Sequence, residues 1–159
     1  KSLADDFTGT FAVVKDAYLK LKNFFSSLDT VCCIYATAPL LKAKHLQEAY
    51  NLMQNAQAKS VISICEFPFP IQRAFVKDDN GNLSYREPKY APMRSQDLQK
   101  CYQDCGLFYF YDKSCFEDAK GHLSIGYEMP RHRVIDIDTP EDWDYACAMA
   151  KAVEELKLD

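Results

Sequence analysis

The sequence predicts an α/β layered fold in which helices pack on a mostly parallel sheet. One observation is the order of the first elements, since residues 10–65 read helix, strand, helix, strand. Another is that the strands at residues 30–36 and 60–65 are apolar runs without polar alternation, typical of strands covered on both faces. Together these features imply a right-handed parallel crossover. A length of 159 residues is sufficient for one domain with a single core.

Three segments have the apolar spacing of amphipathic helices. Residues 10–25 and 42–57 place apolar side chains at every third or fourth position. The last helix begins after Thr139, an N-cap residue followed by Pro140 and acidic residues, and continues to about residue 156. Its predicted buried stripe comprises Trp143, Ala146, Cys147, Ala150, Val153 and Leu156.

The segment from about residue 67 to residue 103 leaves the α/β pattern. It opens with alternating phenylalanine and proline, and two short β-prone runs then flank a turn sequence at residues 78–82, which predicts a hairpin. We call residues 67–103 the excursion. Beyond it, an aromatic run at residues 106–111 and an alternating segment at residues 133–138 predict two further strands.

Composition excludes several classes of partner and compartment. The net charge of −4 includes no basic block, so nucleic acid is not an expected partner. No apolar run reaches the roughly 18 residues of a membrane-spanning helix, and the first six residues lack the apolar core of a signal peptide, so the expected location is the cytoplasm without membrane contact. Seven irregularly spaced cysteines predict reduced, mostly buried thiols.

Asp136 and Asp138 are the main candidates for chemistry. Two positions apart on a predicted strand, their side chains leave one face roughly 6.5 to 7 Å apart. They stand at the carboxyl end of that strand, where α/β folds bind ligands, and carboxylate oxygens suit Mg²⁺ with phosphate at its remaining positions. The alternative is that one of them only caps or solvates the strand end.

The excursion contains candidate ligand-binding residues. Arg94 and Gln96 could recognise a carboxylate or a hydroxyl-rich ligand, because the guanidinium fork matches a carboxylate in two contacts. Arg73 is open to the same interpretation. For each arginine, the alternative is a side chain that faces water.

Six stretches of the chain form an ordered set with a recognisable spacing. They are Leu3-Ala4-Asp5-Asp6-Phe7-Thr8-Gly9-Thr10, Ile34-Tyr35-Ala36-Thr37-Ala38-Pro39-Leu40, Pro70-Ile71-Gln72-Arg73-Ala74, Arg94-Ser95-Gln96-Asp97-Leu98, Asp104-Cys105-Gly106-Leu107-Phe108-Tyr109 and Val134-Ile135-Asp136-Ile137-Asp138-Thr139-Pro140-Glu141-Asp142-Trp143. In this order they resemble the sugar-acid cytidylyltransferases, most closely those that activate pseudaminic acid and more broadly those that activate N-acylneuraminate.

The resemblance implies a three-layer, Rossmann-like nucleotidyltransferase fold and Mg²⁺-assisted transfer of CMP from CTP to a nonulosonic acid, with pseudaminic acid favoured. It also assigns roles to particular residues. Metal binding and catalysis fall to Asp136 and Asp138, the nucleotide to Thr8, Gly9 and Thr10, and the sugar acid to Arg94, Gln96, Arg73, Gln72 and Tyr35. In such enzymes the excursion packs against a second subunit, so a homodimer is implied.

The chain also departs from the family pattern. These enzymes open with a strand and a loop containing glycine, arginine and lysine that grips the triphosphate, whereas this chain starts beyond that point and has only five glycines, none of them in such a loop. The expectation is therefore the C-terminal two-thirds of one catalytic domain, inactive alone. Tyr35 and Ala36 replace the neuraminate branch's glutamine, which favours a related nonulosonic acid.

Two functions from other classes remain open. One is a metal-dependent glycosyltransferase, in which Asp136 and Asp138 would hold the ion on a nucleotide-sugar donor. The other is a non-catalytic dimerisation or ligand-binding module, which the missing triphosphate loop allows.

Overall fold

The computed structural model describes residues 3–5, 7–118 and 123–158. Within these residues the chain forms four helices and six strands. The helices are α1 (Thr10–Leu21), α2 (Ala43–Asn55), α3 (Ser114–Glu117) and α4 (Pro140–Glu155), and the strands are β1 (Thr30–Ile34), β2 (Ser60–Glu66), β3 (Phe75–Lys77), β4 (Leu83–Tyr85), β5 (Tyr102–Asp112) and β6 (Ser124–Glu128).

Four of the described strands form the central sheet, in the order β1-β5-β2-β6. β2 and β6 pair in parallel, while β1 and β2 each pair antiparallel with β5. Three of the four strands therefore point the same way, and the predicted α/β class with a mostly parallel sheet is confirmed. The segment β1-α2-β2 does connect two parallel strands, but β5 lies between them.

Helices cover both faces of the sheet. α2 packs Ala49 and Met53 against Phe110 of β5 in the main core cluster. α1 packs Val14 and Tyr18 on the opposite face, in a cluster that includes the neighbouring Tyr111. Because adjacent strand residues face opposite sides, this arrangement gives three layers.

The predicted strand at residues 133–138 is wrong. Residues 131–133 form a 3₁₀ turn, and residues 134–138 have no regular secondary structure and pair with no described strand. The apolar-polar alternation does survive as burial: Ile135 packs beside Leu40 and Ala146, whereas Asp136 and Asp138 are exposed. Such a pattern reports which side is covered, and it contains no information about a backbone partner.

Two expectations about burial are also corrected. In α4 only Ala146 and Val153 are buried, while Trp143, Cys147, Ala150 and Leu156 are exposed, because only a narrow stripe of the helix meets the rest of the chain. All seven cysteines lie in the described residues and are free thiols, but only Cys65 and Cys105 are buried. No helix in the described ranges is both long and apolar enough to span a membrane.

The excursion is fastened where it leaves and rejoins the sheet. The Phe67 amide donates to the carbonyl oxygen of Cys101 at 3.0 Å. Between these points, β3 and β4 form the predicted hairpin as a two-stranded sheet of their own. The hairpin is therefore a separate unit attached at the carboxyl end of β2.

Candidate active site

Some of the candidate residues meet at one edge of the central sheet. Tyr35 follows the carboxyl end of β1, and its amide donates to the carbonyl oxygen of Leu107 in β5 at 3.0 Å. Asp104 lies opposite Ile64, near the carboxyl end of β2. This is the edge at which open α/β sheets bind their ligands.

Asp136 approaches this edge at Gly106. A Cβ atom built on Gly106 would lie 3.8 Å from Asp136 Oδ2 and 3.9 Å from Cδ2 of Tyr35. On the far side of Tyr35, its hydroxyl shares a hydrogen bond with the hydroxyl of Thr10. Three residues that the sequence placed in different roles, Thr10, Tyr35 and Asp136, are therefore parts of one site.

Tyr109 and Asp104 belong to the same site and were not predicted. The Tyr109 ring lies 5.6 Å from the Tyr35 ring, centroid to centroid, and its hydroxyl donates to both Asp104 oxygens at 2.9 Å. Burial and this carboxylate raise the pKa of Tyr109, so it remains a hydrogen-bond donor. The available signal was the glycine inside an aromatic strand, which indicates a bulge.

The backbone at Asp138 is fixed by the start of α4. The Asp142 carboxylate accepts hydrogen bonds from the backbone amides of Asp138 at 3.2 Å and Thr139 at 2.8 Å. The Thr139 hydroxyl in turn accepts from the Asp142 amide, which completes a capping box at the predicted N-cap residue. The hydrogen bond from the Thr139 side chain, followed by the two backbone amides, lowers the pKa of Asp142.

Asp136 and Asp138 supply two exposed carboxylates, the ligand type that hard cations prefer. Among the described residues, the side chains of Asp136 and Asp138 take part in no ion pair and leave their oxygens open to solvent. The same residues contain no group of three or more histidine, cysteine or acidic side chains arranged to hold a metal. An ion here would thus take two protein carboxylates and find its remaining oxygen ligands on substrate and water, as Mg²⁺ commonly does.

The predicted sugar-side residues have separate environments. Arg73 Nη1 donates to Ser95 Oγ at 3.1 Å and lines a cavity of about 390 Å³ that is otherwise mostly apolar. Gln96 lines an adjoining cavity of about 230 Å³. Gln72 is buried and donates to the Gln99 carbonyl oxygen at 2.8 Å, so it also fastens the excursion.

Arg94 already has a carboxylate partner. Its guanidinium donates to both oxygens of Asp97, at 2.7 and 3.0 Å, on the protein surface. A substrate carboxylate would have to displace Asp97 to reach it. Arg73 is therefore the better placed of the two arginines.

The predicted nucleotide residues Thr8 and Gly9 precede α1, and Thr10 is its first residue. Gly9 is the N-cap residue of α1, and a Cβ placed there would meet nothing within 4 Å. The Asp5 carboxylate accepts hydrogen bonds from the Phe7 amide and from the amide and hydroxyl of Thr8. These hydrogen bonds, of which the one from Phe7 has the largest effect, lower the pKa of Asp5. Asp6, part of the stretch that carries the family resemblance, lies outside the described residues.

Comparison with solved structures identifies the fold class. The chain aligns with the 4-diphosphocytidyl-2C-methyl-D-erythritol synthase of Anaerococcus prevotii with a TM-score of 0.54, over 85% of this chain and 64% of that one, at 14% identity. The fold is therefore the α/β nucleotidyltransferase fold.

Sequence comparison identifies the family within that class. The chain is 40% identical over 159 residues to the pseudaminic acid cytidylyltransferase of Campylobacter jejuni serotype O:2, covering 98% of this chain and 68% of the relative. The N-acylneuraminate cytidylyltransferase of Escherichia coli is 23% identical over 163 residues, covering all of this chain and 38% of the relative. No protein-family model matches the chain. The chain belongs to the pseudaminic acid cytidylyltransferase family.

Proposed function

We propose that this protein transfers CMP from CTP to a nonulosonic acid, with pseudaminic acid as the first candidate, and releases pyrophosphate. The observation that carries the proposal is the 40% identity to the Campylobacter enzyme. The meeting of Asp136, Tyr35 and Thr10 at the carboxyl edge of the sheet supports it. We place the reaction in the cytoplasm, where CTP is made.

The proposed chemistry is an in-line substitution at phosphorus. The anomeric hydroxyl oxygen of the sugar acid forms a bond to the α-phosphorus of CTP, and the bond from that phosphorus to the bridging oxygen of pyrophosphate breaks. Pyrophosphate leaves with the electron pair, and the hydroxyl proton passes to water. The reaction is therefore mostly a matter of orienting two anions and offsetting their charge.

Asp136 and Asp138 would hold Mg²⁺ at this edge. When bound, the ion supplies charge compensation at the phosphate oxygens. The other residues of the chain would position the two carboxylates. The α4 cap fixes the backbone at Asp138, and Gly106 leaves space beside Asp136. Thr8, Gly9 and Thr10 would adjoin the nucleotide.

The sugar acid would occupy the excursion side of the site. Arg73 would meet its carboxylate, since Arg73 lines the 390 Å³ cavity and its guanidinium donates to a neutral hydroxyl, that of Ser95. Gln96 would contact the sugar from the adjoining cavity. Arg94 would contribute only by exchanging its partner Asp97.

We further propose a homodimer formed through the excursion. The excursion exposes a set of apolar side chains, namely Phe69 ahead of the hairpin and Phe75, Val76 and Leu83 within it. Apolar side chains clustered on one small surface unit are typical of a protein interface. A symmetric contact would bury them on both subunits.

A product assay tests the proposed function. The protein at its native length is incubated with CTP, Mg²⁺ and either pseudaminic acid or N-acetylneuraminic acid. The native length is used because we predict that the 159-residue chain alone is inactive. We expect CMP-pseudaminic acid by mass spectrometry, with one pyrophosphate released per product and a slower reaction for N-acetylneuraminic acid. Absence of a CMP-sugar from both acids would refute the proposal, and sugar transfer from a nucleotide-sugar to an acceptor would replace it with the glycosyltransferase alternative.

A further inference from the structure

The pairing of β5 with β2 contains a large bulge beside the candidate site. Ile62 pairs with Tyr109 and Ile64 pairs with Asp104, so the four residues 105–108 of β5 face the single residue Ser63 of β2. Bulges of this kind redirect side chains next to active sites. Within the bulge Leu107 and Phe108 are both buried in succession, and Gly106 adopts a left-handed backbone with φ of +61°.

Ser63 holds this bulge from inside the core. It is fully buried, and its hydroxyl oxygen accepts hydrogen bonds from the Leu107 amide at 3.3 Å and the Phe108 amide at 3.1 Å. The irregular pairing leaves these two amides without a backbone partner on β2. One serine hydroxyl therefore satisfies both of them in a place that water does not reach.

The bulge residues contact two groups of the candidate site. The Leu107 carbonyl oxygen accepts from the Tyr35 amide at 3.0 Å, so the peptide that Ser63 holds also holds Tyr35. Gly106, the preceding residue, faces Asp136 Oδ2. Its amide is fixed in turn by Asp104 Oδ1, at 2.9 Å.

We infer that Ser63 is a positioning residue of the active site, because its hydroxyl fixes the β5 bulge that sets Gly106 and Tyr35 against Asp136. The inference rests on the proposed function for its kinetic consequence only. Ser63 touches none of the reacting groups, so its removal should misplace the site without removing any of its side chains. Small misplacements of catalytic groups are costly to turnover.

The chain supplies a matched control on the same strand. Ser60 is also buried in β2, but its hydroxyl bonds to the Ser124 hydroxyl at 2.6 Å, away from the bulge. Ser63→Ala and Ser60→Ala each delete one buried hydroxyl from β2. Only the first leaves two backbone amides of the bulge without an acceptor.

The first measurement needs no turnover. In the native-length protein, amide hydrogen exchange at Leu107 and Phe108 should be about tenfold faster or more in Ser63→Ala than in Ser60→Ala, and the carboxyl ¹³C resonance of Asp136 should shift only in Ser63→Ala. Unchanged exchange, or an unchanged Asp136 resonance, would overturn the inference whatever reaction the protein catalyses. If Ser63→Ala does not fold, Ser63→Cys, with a weaker acceptor of similar size, takes its place with the same expectations.

The second measurement is kinetic. With CTP and pseudaminic acid, Ser63→Ala should lower kcat about tenfold or more, because the groups set by the bulge are misplaced while none of their side chains is removed. Ser60→Ala should keep kcat. An equal fall of kcat in both variants, or kcat of Ser63→Ala within twofold of the wild type, would contradict a positioning role. Inactivity of the wild type would refute the proposed function instead, and the exchange and resonance measurements would then decide the inference.

Discussion

Gly106 is the residue whose backbone shape the site depends on most. Its φ of +61° lies in the left-handed region, and its missing side chain leaves open the space beside Asp136 and Tyr35. A side chain at this φ costs roughly 1–2 kcal/mol of folding free energy. Glycine here therefore serves both the turn of the bulge and the space that a ligand of Asp136 would need.

Gly106→Ala should reduce both stability and turnover. We expect a loss of about 1–2 kcal/mol in the free energy of unfolding from the strained backbone, and a fall in kcat of about tenfold to a hundredfold from the methyl group beside the Asp136 carboxylate. Urea unfolding and the CMP-transfer assay measure the two effects. Gly81→Ala is the control, since Gly81 also has positive φ, at +87°, but lies in open space at the hairpin turn. It should lose similar stability and keep its kcat, and equal kcat losses in both variants would contradict the account.

At the residue scale, the candidate residues that could be predicted were those that their sequence neighbours make recognisable. Asp136 and Tyr35 stand in recognisable stretches, and both reach the site. Ser63 was missed, and Asp104 and Tyr109 were given no role although they stand in a recognisable stretch, because the roles of all three depend on contacts made by the irregular β2–β5 pairing. A serine in an apolar strand carries no sign that it will hold two amides 44 and 45 positions away.

The capping box of α4 is the element that ties local structure to the site. The Asp142 carboxylate accepts from the backbone of both Asp138 and Thr139, so the start of the helix fixes the end of the Asp136–Asp138 segment. These hydrogen bonds act on the ionised carboxylate and lower its pKa. A carboxylate in the first turn is also stabilised by the helix dipole.

The contribution of this cap should depend on pH. Because the folded-state pKa of Asp142 lies below its ordinary value of 3.8, the stabilisation is fully present above that value and is lost as the pH falls through the folded-state pKa. The wild type should therefore unfold at higher urea concentration than Asp142→Asn at pH 7, and the gap should narrow steadily as the pH is lowered below 3.8. Asp144→Asn, on the same helix, should match the wild type across this range. A gap of constant size down to the lowest pH at which the protein stays folded would show that charge is not its origin.

At the element scale, helices were predicted more closely than strand pairing. α1, α2 and α4 begin within one residue of their predicted starts, because periodicity and caps are local signals. The insertion of β5 between β1 and β2 could not be predicted, since the direction and neighbours of a strand are decided by distant segments. The strand prediction for residues 134–138 was wrong for the same reason. These residues do alternate between the covered and the exposed side, but the local sequence does not specify a strand to pair with.

At the scale of the whole molecule, the excursion combines exposed apolar side chains with a hairpin that stands apart from the central sheet. The β3–β4 hairpin pairs only with itself, and Leu83 and Phe75 remain more than half exposed. An isolated two-stranded hairpin is marginally stable in water. A second subunit would cover these side chains and stabilise the hairpin together with the Arg73 side of the site.

Leu83→Asp should convert the dimer to a monomer. A charge at the centre of an apolar symmetric contact is repeated on both subunits and opposes association. Light scattering at micromolar concentration should show twice the chain mass for the wild type and the single-chain mass for the variant. Leu156→Asp is the control, because Leu156 is 68% exposed at the end of α4, and it should remain dimeric. A monomeric wild type at that concentration would refute the dimer.

The central claim is that CMP transfer takes place at the edge of the sheet that carries Asp136 and Asp138. Its most direct test compares Asp138→Asn with Asp144→Asn in a titration of Mg²⁺ against pyrophosphate release, with CTP and pseudaminic acid saturating. Both aspartates are exposed, so each variant should unfold within about 0.5 kcal/mol of the wild type. The account predicts that Asp138→Asn loses about a hundredfold or more of kcat at every Mg²⁺ concentration, while Asp144→Asn follows the wild-type curve. Near-normal turnover of Asp138→Asn at saturating Mg²⁺ would contradict it.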